Sequence, residues 1–252
     1  MIVYPNAKIN IGLNVLEKRS DGYHELSSVF YPVKELCDIL EIIPASDFSF
    51  SSTGISVPGN SNICANAFEL LKEDFGIGNV KIHLHKQIPI GAGLGGGSAD
   101  GAFTLKALNK LFDLKITNKE LEKYALQLGA DCPFFIDNTP KYVTGIGEKM
   151  TAIDLDLSDY ELKFIFPDLH ISTAEAYGGV SPKIPEISLL NLIKQPIENW
   201  KGEVKNDFEI SAFEKHPKLA KMKEKLYADG AIYASMTGSG SVIYGIVKEL
   251  FV

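Results

Sequence analysis

The sequence predicts an α+β protein of two domains, and three observations carry that prediction. Segments that alternate polar and apolar residues are interleaved with segments of helical spacing. A dense glycine tract lies between one such strand and one such helix. The chain has 252 residues, more than the roughly 100–200 of a usual domain, so domains over residues 1–150 and 151–252 are expected. Hydrophobic side chains at 45% and charged ones at 23% describe a packed body rather than a disordered one.

The first strand is expected over Lys8-Ile-Asn-Ile-Gly-Leu-Asn-Val-Leu16, a period-two run that puts Lys8, Asn10 and Asn14 on one face of a half-buried strand. Ser20-Asp-Gly-Tyr-His24 is a turn, Glu25 to Val33 resumes the strand pattern, and β-like stretches follow over 37–43 and 48–57. Asn60-Ser-Asn62 offers capping side chains to a helix whose face is Ile63, Ala67, Leu70 and Leu71, with Gly76 to end it in the left-handed region. Val80 to His85 alternates again, and Ser98 to Phe112 has helical spacing through Ala102, Leu105, Leu108 and Phe112. Thr117-Asn-Lys-Glu120 has the spacing of a capping box for a third helix, closed by Gly129. Asp131 lies just beyond that stop. A hairpin around Thr144-Gly-Ile-Gly147, a strand over 160–166, the segment Ser172 to Tyr177, a Pro-rich connection through Pro196, a helix over 217–228 and final strands complete the chain. No repeat of fixed period and no low-complexity tract is present.

The net charge is −7, from 32 acidic and 25 basic side chains, with no basic block to lay along a nucleic-acid backbone, so no nucleic-acid partner is expected. Three cysteines without Cys-x-x-Cys spacing suggest neither a disulfide framework nor a zinc cluster. No apolar run approaches the ~20 residues of a membrane helix and no signal-peptide pattern opens the chain, so a cytoplasmic protein with no membrane partner is expected. His83 and His85 share a strand face, but without a third ligand they are ordinary surface histidines; no metal-ligating residue is assigned.

Five glycines occupy the seven positions 91–97. Dense glycine lets successive N–H groups converge on one anion, and the helix that follows adds its positive end. A flexible linker would have polar surroundings, whereas Ile88, Ile90 and Leu94 punctuate this loop, so it reads as a phosphate cradle. Gly91-Ala-Gly-Leu-Gly-Gly96 also matches the dinucleotide pattern G-x-G-x-x-G; that reading wants an acidic residue ~20 positions on at the end of a strand, and Asp113 instead follows an unbroken helical pattern. No Gly-Lys-Ser/Thr closes the loop, so it is not a Walker A motif.

With these residues in view, Pro89 to Asp100 resembles the central ATP loop of the GHMP kinases. Pro5-Asn-Ala-Lys-Ile-Asn-Ile-Gly-Leu13 is similar to their N-terminal motif, and Met236-Thr-Gly-Ser-Gly-Ser-Val-Ile-Tyr-Gly245 to their C-terminal glycine motif. Finer agreement lies in Arg19 to His24, in Gly93 to Ser98, in Gly129-Ala-Asp-Cys-Pro-Phe134 and in Asn206-Asp-Phe-Glu209; Gly96-Gly97 stand where many members carry Ser-Ser. The resemblance implies an N-terminal ribosomal-protein-S5-domain-2-like domain and a C-terminal ferredoxin-like domain with ATP and substrate clefts between them. It implies transfer of the γ-phosphoryl of ATP, with Mg2+, to the 2-hydroxyl of a cytidine diphosphate-linked methylerythritol in the non-mevalonate isoprenoid route. The protein would act on this small molecule as a monomer or weak homodimer. Rival readings are a related kinase of homoserine or a mevalonate-like alcohol, and a non-catalytic nucleotide-binding module.

The same resemblance implies roles for single residues. Asp131 would be the base and Lys8 its partner at the acceptor hydroxyl; on pattern alone they read as a helix cap and a solvated strand lysine. Pro89, Gly91, Gly93, Leu94, Gly95, Gly96, Gly97 and Ser98, with Asn62, would bind ATP. Tyr23 and Tyr177 would be aromatic walls around the cytosine, His24 would meet its edge, and Asn10 and Thr173 would be weaker polar contacts.

Overall fold

The computed structural model describes residues 1–57 and 62–248. The strands are β1 (Ile2–Val3), β2 (Asn6–Lys18), β3 (His24–Cys37), β4 (Ile39–Pro44), β5 (Ser49–Gly54), β6 (Val80–Lys86), β7 (Lys141–Gly145), β8 (Lys149–Ala152), β9 (Tyr160–Ile165), β10 (Tyr233–Met236) and β11 (Ile243–Lys248). The helices are α1 (Ile63–Phe75), α2 (Gly96–Leu111), α3 (Asn118–Leu128), α4 (Phe134–Asp137), α5 (Thr173–Gly178), α6 (Leu189–Ile193), α7 (Phe208–Lys215) and α8 (Pro217–Ala228). They form two compact units that share the chain in alternation: residues 1–8, 32–90 and 95–139 make the first, and residues 9–31, 91–94 and 140–252 the second.

The first unit holds a four-stranded sheet in the order β1-β4-β6-β5, antiparallel except for the parallel β5–β6 pair. In β6 the residues Val80, Ile82 and Leu84 are buried and those between them are less so, as alternation predicts. Asn62 caps α1 by accepting from the amide of Cys64, and Gly76 ends it with φ 60°. Asn60 and Ser61, the other capping candidates, lie outside the described residues. The capping box of α3 is complete, with Thr117 and Glu120 each bonded to the other's backbone. Gly129 closes α3 as expected, in extended backbone at φ 166°. α2 starts at Gly96, two residues before the expected Ser98.

The second unit holds the sheet β2-β3-β7-β8, whose first strand begins in the first unit, and the sheet β10-β11-β9. α7 and α8 bury Phe208, Ala212, Leu219 and Leu226 in a core with Ala234, Met236 and Ile243. Two expectations need correction, and two helices are new. β2 is not half-buried: every residue from Asn6 to Leu13 is inaccessible, so its polar residues are interior groups. α6 lies within the stretch expected to be a Pro-rich connection, because Leu189, Leu192 and Ile193 have an apolar face to bury. α7 and the short α4 have no strong periodicity of their own and went unpredicted.

Candidate active site

The glycine tract leaves β6 through Ile88, which is fully buried, and Pro89. Gly91, Gly93 and Gly95 all have positive φ, at 68°, 81° and 68°. At Gly95 this conformation turns the chain straight into α2 with no side chain capping the helix. The first-turn N–H groups of Gly96, Gly97 and Ser98 are those an α-helix leaves without intrahelical partners, at its positive end. A Cβ on Gly97 would meet nothing within 4 Å, so this face is open. On either side lies a lysine: a Cβ on Gly95 would stand 3.0 Å from Cγ of Lys8, and one on Gly96 would stand 2.9 Å from Nζ of Lys86. The helix start is thus an open, dipole-positive terminus with the Lys8 stem beside it and Lys86, neutralised by its own carboxylates, beneath it.

Lys8 and Asp131 meet there, Nζ to Oδ2 at 3.6 Å, the lysine side chain 4% and the carboxylate 34% exposed. Burial lowers the pKa of Lys8, against the pull of Asp131. Asp131 is presented by the turn that follows α3, in which the Cys132 amide donates to the Gly129 carbonyl. Cys132 bonds to the hydroxyl of Ser98, and burial pushes its thiol up to about 11, so it stays neutral. Ser98, Cys132 and the Lys8–Asp131 pair therefore occupy one neighbourhood of the first unit. Asn62 stands apart in role, with its side chain committed to the α1 cap.

In the second unit the C-terminal glycine motif holds the earlier half of the loop. Thr237 Oγ1 donates to the Gly93 carbonyl at 3.1 Å and accepts from the Asn10 amide at 3.0 Å. A Cβ on Gly93 would fall 2.0 Å from the Thr237 carbonyl oxygen, so glycine is required by space as well as by φ. Asn206 fixes the far side of this crossing by donating to the carbonyls of Met236 and Gly238, at 2.7 and 2.8 Å. Gly91 packs on the His170 ring, and Leu94 is buried.

The proposed substrate residues fall in the same unit. His24 and Tyr177 stack with ring centroids 4.9 Å apart and 24° between planes. Tyr23, one residue away, is 60% exposed, and Thr173 is exposed at the start of α5. The ring paired with Tyr177 is thus His24, with Tyr23 presented to solvent beside it. Asn10 is buried, its side-chain amide donating to Ser28 Oγ at 2.9 Å. Asp21 organises the turn by accepting from the Tyr23 amide and from the Arg19 guanidinium.

Three residues were missed by sequence reasoning: Asp38, Lys86 and Thr237. Lys86 had a legible signal, since it occupies the position after Val80, Ile82 and Leu84 on the buried face of β6. The two histidines behave as ordinary polar residues, His83 bonding to Ser51 and Thr53 and His85 to Thr53. Among the described residues no three His, Cys, Asp or Glu side chains converge as a metal site. Asp113 lies in a left-handed turn, ion-paired to exposed Lys115, and not at a strand end as dinucleotide binding would need.

Comparison with known proteins gives the lineage of this arrangement. Residues 62–138 match the GHMP kinases N terminal domain and residues 188–250 the GHMP kinases C terminal family. The chain belongs to the GHMP kinases. It is 48% identical over 252 residues, 99% of this chain and 94% of the relative, to the 4-diphosphocytidyl-2-C-methyl-D-erythritol kinase of Azobacteroides pseudotrichonymphae. The protein of the same name from Parabacteroides distasonis is 48% identical over 99% of this chain and 92% of its own length. A crystal structure of 4-(cytidine 5'-diphospho)-2C-methyl-D-erythritol kinase superposes with a TM-score of 0.82 at 33% identity, covering 98% of this chain and 90% of that one. The α+β, two-domain class expected from sequence is thereby the class observed, and ATP is the phosphate donor of the family. Among the described residues no helix is long and apolar enough to cross a membrane.

Proposed function

We propose that the protein transfers the γ-phosphoryl group of ATP to the 2-hydroxyl of 4-diphosphocytidyl-2-C-methyl-D-erythritol, a step in isoprenoid precursor synthesis. The observation that carries the mechanism is the Lys8–Asp131 pair beside the open helix start at Gly95–Ser98. The amides of that first turn bind the phosphates, with Pro89, Gly91, Gly93 and Leu94 shaping the loop. Asp131 takes the proton of the acceptor hydroxyl as its oxygen bonds to the γ-phosphorus and the bond to the β-phosphate oxygen breaks, releasing ADP. Lys8 holds the carboxylate and the hydroxyl in line. Such positioning and charge stabilisation are most of what phosphoryl transfer asks of a protein.

Mg2+ fits as a companion of the nucleotide, since it keeps water and phosphate ligands, and no residue of the chain is assigned to hold it. Carried in by the nucleotide, the ion would neutralise phosphate charge. For the acceptor, the His24–Tyr177 stack with exposed Tyr23 offers flat surfaces to a cytosine ring, and Asn10 and Thr173 add polar contacts. We infer that the sequence divides into N- and C-terminal kinase domains near residue 150. We place the enzyme in the cytoplasm as a monomer or weak homodimer without a nucleic-acid partner.

ADP release with ATP and Mg2+ over a panel of the cytidyl substrate, homoserine, mevalonate and galactose tests the assignment. Turnover of the cytidyl compound alone is expected; turnover of homoserine alone overturns it. Tyr177→Ala should raise KM for the cytidyl substrate roughly 10-fold or more, the scale of a lost base–aromatic stack, with Tyr177→Phe close to normal. A selective rise in KM for ATP would remove Tyr177 from the acceptor site.

A further inference from the structure

Beneath the glycine loop lies a charge cluster that the reaction described above does not use. Lys86, Asp38 and Asp100 are 3%, 0% and 2% exposed. Lys86 Nζ donates to Asp38 Oδ2 at 2.5 Å and to Asp100 Oδ2 at 2.8 Å. Asp38 Oδ1 also accepts from the amides of Gln87, at 2.6 Å, and Ile88, at 2.9 Å. Asp100 Oδ1 is buried and has no hydrogen-bond partner.

One ammonium between two carboxylates leaves an excess negative charge in the interior, and burying an uncompensated charge is costly. The donor inventory assigns the charge and the proton. Asp38, with three donors, carries the charge that Lys86 neutralises, whereas Asp100, with one donor and one orphaned oxygen, is the group that gains from a proton. Burial raises its carboxyl to about 7, against the pull of Lys86 and with a further push from Asp38. The other groups facing it bring no charge: the Cys64 thiol of α1, pushed up to about 12 by burial, and Thr104, whose hydroxyl donates to the Asp100 carbonyl.

The place of the cluster gives this proton a use. Asp100 is the fifth residue of α2, whose first turn is the phosphate site, and a Cβ on Gly96 of that turn would stand 2.9 Å from Lys86 Nζ. We propose that Asp100 takes up a proton from solvent when a nucleotide triphosphate occupies the loop, so that nucleotide binding is linked to pH through the Lys86–Asp38–Asp100 cluster. A polyanion at Gly96–Ser98 disfavours a second negative charge on the same helix turn and a half away. The protonated cluster is neutral and leaves the field of α2 directed at the phosphates. This rests on the reading of the loop as the ATP site.

Calorimetric titration of the enzyme with ATP and Mg2+ at pH 7, in buffers of different ionisation enthalpy, measures the linkage. The expected result is uptake of a few tenths of a proton per nucleotide, falling in Asp100→Asn while the variant still binds. Uptake that is the same in wild type and Asp100→Asn belongs to the nucleotide or to Lys8–Asp131 and overturns the proposal, as does zero uptake between pH 6 and 8. Failure of ATP to bind at all would instead remove the reading of the loop. Infrared difference spectra of the free wild-type enzyme supply a check that needs no nucleotide: a buried protonated-carboxyl band should fade as pH rises from 6 to 8 and be missing in Asp100→Asn. A band that persists in Asp100→Asn assigns the proton elsewhere.

Discussion

Two lysine–aspartate sites flank the start of α2, and they differ in nearly every physical respect. Lys8 meets one carboxylate at 3.6 Å, and that carboxylate is a third exposed. Lys86 meets two at 2.5 and 2.8 Å, and all three groups are sealed from water. A loosely held, accessible carboxylate can approach a substrate hydroxyl and change protonation during a reaction. Asp38, locked by an ammonium and two amides and sealed from solvent, cannot reach a substrate. The same residue types are thus divided between chemistry and architecture by exposure and donor count.

The largest effect that tests this division is on turnover. Asp131→Asn should reduce kcat by about 10²–10⁴-fold, the usual worth of a positioned base, with ATP affinity within a few-fold by calorimetry; near-normal kcat would remove Asp131 as the base. Lys8→Met should lose turnover to a similar degree with stability within about 1 kcal/mol, because a desolvated ammonium is replaced by an apolar chain and the remaining carboxylate can be hydrated.

Lys86→Met should behave in the opposite way. It strands two buried carboxylates and should destabilise the fold by about 3–5 kcal/mol in urea unfolding. Equal stability of the Lys8→Met and Lys86→Met variants would break the comparison.

A smaller effect appears in pH dependence. The Asp100 carboxyl, raised from 3.8 to about 7, keeps a proton in the folded state that the unfolded chain has released, so this group's contribution to stability falls as pH climbs from about 4 to about 7. Asp100→Asn lacks that titration. Unfolding free energies measured at several pH values should therefore shift in the variant's favour across this window, by on the order of 3 kcal/mol. A constant difference would show that Asp100 is ionised throughout.

Much of the site was legible because its signals are local. The glycine tract, the capping box at Thr117 and the alternation of β6 depend on backbone geometry and neighbouring residues. Lys86 was missed, although a charged residue in the buried register of β6 is a local signal too. The pairing of His24 rather than Tyr23 with Tyr177 was not legible, because turn geometry at Asp21 decides which ring faces inward. Nor was the interior position of Asn10, whose partners Ser28, Thr237 and Tyr244 stand 18 to 234 residues away.

The sequence by itself determined the fold class, the phosphate loop and the residue types that can move a phosphoryl group, since these follow from short-range periodicity and from glycine's freedom at positions such as 93 and 95. Only the tertiary structure decided which lysine works and which one holds. Charge state and reactivity depend on burial and on the number of donors around a carboxylate, and those are set by residues as distant as Lys8 and Asp131, or Asp38 and Asp100, once the chain has brought them together.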